Sequence, residues 1–308
     1  MHSRRWPGRR LAAIALIIVA GLAVAGYRTD RVDLPILGER PGYGPASVSP
    51  VPNLAAIDRL IWVPDLDDGW DPQGLTVAAR NLFVSAYRSR QLGESRGPCR
   101  MFRIDAATGR LLDHIDIPAP CGHAGGLAYA GGATLYLADT HTLFQYDWTA
   151  PVPKFRVIPL GRGVRGAFAA SGRGDVWLGT YERGRPGRIL QFRTVVLDAL
   201  ADAAPLDADM AVRELPIPSY AQGAAVDSSG KLWISRSGIA WGWLDRLDPR
   251  TGAVEKRYPT AGGIEGIAFD EAGRLWGVSE TGVRHIPLRY PFFPLIFRID
   301  PARLVPDG

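Results

Sequence analysis

The stretch Glu265-Gly266-Ile267-Ala268-Phe269-Asp270-Glu271-Ala272-Gly273-Arg274-Leu275-Trp276 decides the reading of this chain. A polar residue and a glycine lead into an apolar strand. A tight polar turn follows, with a glycine available for positive φ. A second strand then opens on Leu-Trp. The phrase occurs one step earlier as Gln222-Gly223-Ala224-Ala225-Val226-Asp227-Ser228-Ser229-Gly230-Lys231-Leu232-Trp233. Looser copies start at Gly166, Gly126 and Gly74, closing on Val176-Trp177, Leu135-Tyr136 and Leu82-Phe83. Recurrence at 40 to 57 residues implies an array of equivalent units. Units of short strands and tight turns predict an all-β fold, the β-propeller.

Each unit divides into four strands, A to D. In the first unit these are residues 74–77, 82–86, 101–105 and 111–117. The C–D turn Asp105-Ala106-Ala107-Thr108-Gly109 returns as Asp248-Pro249-Arg250-Thr251-Gly252 in the fourth. Asp caps such a turn with its side chain, and Gly supplies positive φ at its exit. The last unit has a C strand at 295–300 but no D strand, and a lone apolar stretch at 60–63 precedes the first unit. Pairing the two closes the ring and removes a sheet edge. Five blades are the preferred count. Six is the alternative, if residues 194–218 hide a degenerate blade. Residues 195–204 read better as a helical insertion, because Leu197, Leu200 and Ala201 recur at helical spacing. The aromatics Phe83, Tyr136, Trp177, Trp233 and Trp276 fall mid-strand, where large flat side chains fill the wedge between blades.

Residues 1–26 differ in composition from the rest. Arg4, Arg5, Arg9 and Arg10 precede an apolar run from 11 to 26 that ends in Ala23-Val24-Ala25-Gly26. This reads as a signal peptide, or as an N-terminal transmembrane anchor; sixteen helical residues span about 24 Å, short of a ~30 Å hydrocarbon core. Either way the domain is exported: secreted, periplasmic or anchored facing outward. The formal charge is +5, and these four arginines account for all but +1 of it. The remainder gives no case for nucleic acid, and membrane contact is expected only through the N-terminal segment. Residues 27–56, rich in Pro and Gly, read as a linker, and 57–308 as the propeller domain. Cys99 and Cys121 flank the C–D hairpin of the first unit, which predicts one disulfide in an oxidising compartment.

The D–A and B–C connections of a propeller share the face that holds the channel mouth. Gln73, Arg165, Gln222 and Glu265 open A strands and are expected to ring the channel. Tyr87, Asp139, Tyr181, Arg236 and Glu280 end B strands, and His123 and His141 lie in the same connections. Glu265 is the candidate catalytic residue, as general base or metal ligand, with Arg165 beside it. Gln73, Tyr87, His123, His141, Tyr181, Gln222 and Arg236 are candidate substrate-binding residues. The loop Asp65-Leu66-Asp67-Asp68-Gly69-Trp70-Asp71 alternates carboxylates ahead of a glycine. Hard cations take oxygen ligands of this kind, so one divalent cation, calcium, is expected from Asp67, Asp71, Asp139 and Glu280. The connection 281–295 carries His285, Arg284, Arg289, Tyr290 and the apolar run 291–295. It is read as packed on the rim, with a flap or a protein-partner surface as the alternatives. The small-molecule ligand belongs at the channel mouth.

The two best phrases, Gln222 to Trp233 and Glu265 to Trp276, resemble the gluconolactonase and luciferin-regenerating-enzyme superfamily, with NHL-repeat and streptogramin-lyase-like propellers beside it. The resemblance covers most of 57–300. It implies a channel metal and hydrolase or lactonase activity on a small molecule. Glu265 and Glu280 also roughly match the spacing of the metal-binding acids in the streptogramin-lyase-like group, which keeps a lyase open. A non-catalytic binding or scaffold propeller is the other class.

Overall fold

The computed structural model describes residues 32–88, 97–172, 174–284 and 290–307. The signal or anchor segment 1–26 lies outside the described residues, as do His285 and Arg289. The chain divides into Met1–Asp33 and a compact unit, Leu34–Gly308, and the fold described here is that of the second. No helix among the described residues is long and apolar enough to cross a membrane.

Two strands precede the first repeat: β1 (Ile36–Leu37) and β2 (Ile57–Trp62). Blade 1 holds β3 (Asp71–Ala78), β4 (Asn81–Tyr87), β5 (Cys99–Asp105) and β6 (Leu111–Ile117). Blade 2 holds β7 (Gly126–Gly131), β8 (Thr134–Asp139), β9 (Thr142–Asp147) and β10 (Phe155–Pro159). Blade 3 holds β11 (Phe168–Gly172), β12 (Asp175–Gly179), β13 (Gly187–Arg193) and β14 (Arg213–Ile217), with the helix α1 (Thr194–Ala199) inserted before its last strand. Blade 4 holds β15 (Ala221–Val226), β16 (Leu232–Gly238), β17 (Trp241–Leu247) and β18 (Val254–Thr260). Blade 5 holds β19 (Ile264–Phe269), β20 (Leu275–Ser279) and β21 (Leu295–Ile299). The count is five, and the expected helical insertion stands where a sixth blade would have been.

β2 is the fourth strand of blade 5, antiparallel to β21, and β1 adds a short parallel strand beyond it. The ring is thus closed by the N-terminal strand, as the orphan stretch at 60–63 required. The innermost strands β3, β7, β11, β15 and β19 touch in sequence around the axis. They approach backbone to backbone: a Cβ on Gly126 would lie 2.1 Å from Ala169 N, and one on Gly266 2.2 Å from Leu75 N. The glycines of the repeat therefore set the ring's diameter. Blade 3 departs from this. In register the repeat glycine is replaced there by Phe168, whose phenyl lies over Gly179, and Gly166 sits two residues upstream. Reading Gly166 as the start of the third copy was out by those two residues.

The core sits in the wedges between blades. Trp276, Val278 and Ile296 of blade 5 pack with Leu75, Leu82 and Phe102 of blade 1; Phe83, Met101, Leu135 and Phe144 fill the next wedge. Burying each such side chain contributes about 1.5–3 kcal/mol. The mid-strand aromatics Phe83, Tyr136, Trp177, Trp233 and Trp276 are all buried, as expected of wedge fillers.

The turn aspartates do more than end strands. Asp227 Oδ1 accepts from Lys231 N at 2.9 Å and Ser229 Oγ at 2.6 Å, while its Oδ2 accepts from Trp233 Nε1 at 2.9 Å. Asp270 repeats this with Arg274 N and Trp276 Nε1, both at 2.9 Å. The C–D turns behave alike: Asp105 Oδ1 accepts from Ala107 N and Thr108 N, Asp248 Oδ1 accepts from Arg250 N, and Gly109 and Gly252 have φ of 71° and 72°.

The stretch from residue 34 packs on blade 5. Val48 and Ser49 are buried, Phe292 N donates to Ser49 Oγ at 2.8 Å, and Tyr43 meets Phe292 edge to face. In the fifth-blade connection Thr281, Val283, Phe292, Phe293 and Leu295 are buried, and Tyr290 is exposed. Cys99 and Cys121 form the expected disulfide, with Cα atoms 6.0 Å apart. It fits an oxidising compartment.

Candidate functional site: the channel mouth

The mouth is built by a local irregularity repeated three times. β3, β15 and β19 each shift register against their neighbour by one residue, between Pro72 and Leu75, Ala221 and Gly223, and Ile264 and Ile267. Gln73, Gln222 and Glu265 fall inside these shifts. A β-bulge places two residues opposite one and re-aims a side chain. In blades 4, 5 and 1, which adjoin around the ring, the bulge carries a polar residue followed by glycine. In blades 2 and 3 the positions before Gly126 and Phe168 hold Gly125 and Ala167, and those inner strands start without a bulge.

The backbone freed by the bulges is recaptured by serines. Ser85 stands opposite the first bulge; its Oγ accepts from Gly74 N at 3.0 Å and donates to Ala124 O of blade 2 at 2.7 Å. Ser235 donates to Glu265 O at 2.6 Å, tying blade 4 to the bulge of blade 5. Both serines are fully buried. The polar side chains then link across blades. Gln222 Nε2 donates to Glu265 Oε1 at 2.8 Å, and Gln73 Nε2 donates to Glu280 Oε2 at 3.0 Å. Glu265 is 2% and Gln73 3% exposed, so both are held at the floor of the mouth.

Arg165 does not take the ring position. It lies two residues upstream of Ala167, exposed in the connection before β11, with Nη1 at 3.0 Å and 3.2 Å from the two ring nitrogens of His141. The register explains the displacement: blade 3 begins at Phe168, so Arg165 belongs to the loop. Tyr87 and His123 come together, their rings 5.8 Å apart. Arg236 points inward to Asp245, Nη1 to Oδ2 at 3.0 Å, and donates from Nε to Ser219 O at 2.7 Å. Asp245 is fully buried and also accepts from Arg257 Nε at 2.7 Å.

The expected metal residues stand on different elements. Asp139 is buried at the end of β8, where Oδ1 accepts from His123 N at 2.5 Å, Ala124 N at 2.8 Å and Gly122 N at 3.2 Å. Burial pushes its carboxyl above the usual carboxylate range, and the N–H groups of Ala124, His123 and Gly122 counter part of that push. Asp67 lies toward the rim, accepting from Gly42 N at 2.8 Å, and Arg284 donates to its backbone oxygen. Asp71 is buried at the start of β3, in register with Tyr87. Among the described residues, the group of His, Cys, Asp and Glu ligand atoms lying within 4.8 Å of one another is Cys99, Cys121 and Asp139. Its two sulfurs are joined in the disulfide and its carboxylate holds three N–H groups. Calcium takes six to eight oxygens. That group is not such an oxygen set, and of Asp67, Asp71, Asp139 and Glu280 it holds Asp139.

Three aromatic side chains complete the mouth on blades 3 and 4. Tyr181 follows β12, Tyr220 precedes β15 and Trp241 opens β17. Their rings meet edge to face, Tyr181 to Tyr220 at 6.3 Å and Tyr220 to Trp241 at 5.5 Å. Tyr220 has φ of 61°, a backbone region bulky residues rarely enter. Tyr181 was expected at the mouth from sequence. Tyr220 and Trp241 were not, and the signal was there: Tyr220 stands two residues before the Gln222-Gly223 pair.

No protein-family profile matches this chain, and none of the curated proteins does. Among solved structures it is similar to the glutaminyl cyclase of Myxococcus xanthus, with a TM-score of 0.55 at 13% identity over 82% of this chain and 97% of that one. This likeness places the chain among β-propellers. The regucalcin of Agrobacterium tumefaciens, a calcium-binding protein, aligns at a TM-score of 0.42 and 18% identity over 74% of this chain and 89% of that one. The PQQ-bound aldose sugar dehydrogenase of Streptomyces coelicolor aligns at 0.43 and 17% over 74% and 94%.

Proposed function

We propose that the channel mouth is the active site of an exported hydrolase acting on a small ester or lactone, with Glu265 as general base. The observation that carries this reading is the trio of bulges. Three adjacent inner strands give up regular pairing at the residue that faces the mouth, and each spends the irregularity on a carboxylate or a carboxamide. Bulges are over-represented next to active sites. A propeller that served only as a scaffold has no use for them there.

The chemistry balances with groups at the mouth. Glu265 takes a proton from water as the water oxygen bonds to the substrate carbonyl carbon. The tetrahedral intermediate then expels the alkoxide, and protonated Glu265 returns the proton to it. Gln222 fixes the carboxylate through Oε1. The Gln73 carboxamide, held by Glu280, is placed to bind substrate. No step needs a metal.

A screen of lactones and of alkyl and aryl esters with the purified chain tests this. Glu265→Gln is expected to lower kcat by about 10²–10⁴-fold with KM nearly unchanged. Turnover at the wild-type rate in that variant would sink the proposal. Ligand binding with no turnover by the wild type would point to the binding propeller instead.

A further inference from the structure

Resting on that reading of the mouth, we propose that its substrate is a flat-ringed molecule carrying a carboxylate, with the ring against Trp241 and Tyr220 and the carboxylate on Arg183. Four observations converge on this. Trp241 is 37% exposed, unusual for so large an apolar side chain, and its indole lies across Gly238, where a Cβ would come within 2.7 Å of Nε1. The missing side chain leaves room for the indole there. Tyr220 meets it at 85° and Tyr181 meets Tyr220 at 78°, which makes a stepped wall rather than a closed stack. Such walls suit offset or edge-on contact with another ring.

Tyr220 is held in its rare backbone conformation from both sides. Its N–H donates to Glu182 O at 2.7 Å, and its carbonyl accepts from Ser237 N at 3.2 Å. A conformation costing about 1–3 kcal/mol persists where the surroundings impose it, and here it sets the ring beside Gln222. Gln222 in turn holds Glu265, so the wall leads to the base.

Charge supplies the second half of the ligand. Arg183 is exposed, its Nε donates to Tyr181 Oη at 3.2 Å, and its guanidinium carbon lies 6.0 Å from the Tyr181 ring centre. The neighbouring arginine, Arg185, is paired with Glu182, and Arg236 is spent on Asp245. Arg183 has no carboxylate partner among the described residues. A guanidinium anchored at one edge keeps its remaining N–H groups for a carboxylate.

The test uses 2-naphthoate and uncharged 2-naphthamide as probes that hold no ester or lactone, titrated into the whole chain by calorimetry at pH 7. The carboxylate is expected to bind at least about tenfold more tightly than the amide, a factor equal to about 1.4 kcal/mol. Arg183→Gln is expected to erase that preference, and Trp241→Ala to weaken both probes by about tenfold or more. Equal affinity of the two probes, or unchanged affinities in both variants, overturns the proposal. If Trp241→Ala fails to fold, the exposed Arg183→Gln and the conservative Trp241→Phe carry the test. Glu265→Gln separates the two readings: it is expected to bind 2-naphthoate as the wild type does. Loss of catalysis alone belongs to the hydrolase reading, and loss of the charge preference alone belongs to this one.

Discussion

At the scale of single residues, this propeller is organised by carboxylates that collect N–H groups. Asp227 and Asp270 each bind a turn backbone and the indole of the tryptophan six residues on. Blade 3 lacks the device. Its turn is shorter, Gly172 stands in place of the aspartate and pairs with Asp175, and Trp177 Nε1 has no acceptor among the described residues. Trp233→Phe and Trp276→Phe should therefore cost about 1–3 kcal/mol more than Trp177→Phe in urea unfolding, because only they orphan a carboxylate. Acid titration separates two aspartates of opposite sign. Burial opposes ionisation of Asp227, yet the bonds from Ser229, Trp233 and Lys231 outweigh it and hold its carboxyl below the usual range. Its contribution is present above about pH 4 and is lost as pH falls through the lowered value. Asp139 is raised, mainly by burial, so stability declines as pH climbs from about 4 through its folded value. Asp227→Asn should flatten the loss of stability below pH 4. Asp139→Asn should remove a decline above it, and unfolding midpoints from pH 3 to 7 read both.

At the scale of elements, the bulged inner strands and the serines behind them are one unit. Removing Ser235 leaves Glu265 O without its donor, and removing Ser85 does the same to Ala124 O. A buried group left unpaired costs about 1–3 kcal/mol. Ser85→Ala and Ser235→Ala should each lower stability by that amount, and only Ser235→Ala should also lower kcat, since it alone holds the strand that carries Glu265. This is also the scale at which the sequence was partly silent. Strands and turns were legible, because glycine, aspartate and alternating apolar residues have strong local meaning; β6 runs over the residues expected of it, and the helical insertion of blade 3 is present over Thr194–Ala199. The dipeptides Gln73-Gly74, Gln222-Gly223 and Glu265-Gly266 marked the right ring positions. The bulge itself was not legible, because it depends on which residue of the neighbouring strand is paired. For the same reason Arg165 was placed in the ring: Gly166 looked like a strand glycine, and only register shows that Phe168 stands there. The carboxylates of 65–71 read as cation ligands in sequence; in the fold Asp65 pairs with Arg100 and Asp67 accepts from Gly42 N.

At the scale of the whole molecule, the blades share one ring and the two ends of the chain share one blade. β2 pairs with β21, and residues 34–56 lie over the same edge, with Asn53 Nδ2 donating to Pro259 O at 2.8 Å and Asn53 Oδ1 accepting from Val305 N at 2.9 Å. A chain beginning at residue 57 should fold and melt at a lower temperature than one beginning at 34, because Phe292 and Ser49 lose each other. A chain beginning at 64 lacks β2 and should lose cooperative melting, with an open edge on blade 5. Both are read by circular dichroism. The shared blade also fixes an order of events in synthesis. β2 is among the first strands made and β21 the last, so the earliest strand waits, unpaired on that side, while four blades are translated. The fold cannot be locked in stages from the front. Its final closure comes with the last few residues, and any chain stopped short of residue 295 keeps a sticky, unclosed ring that quality-control proteases can recognise.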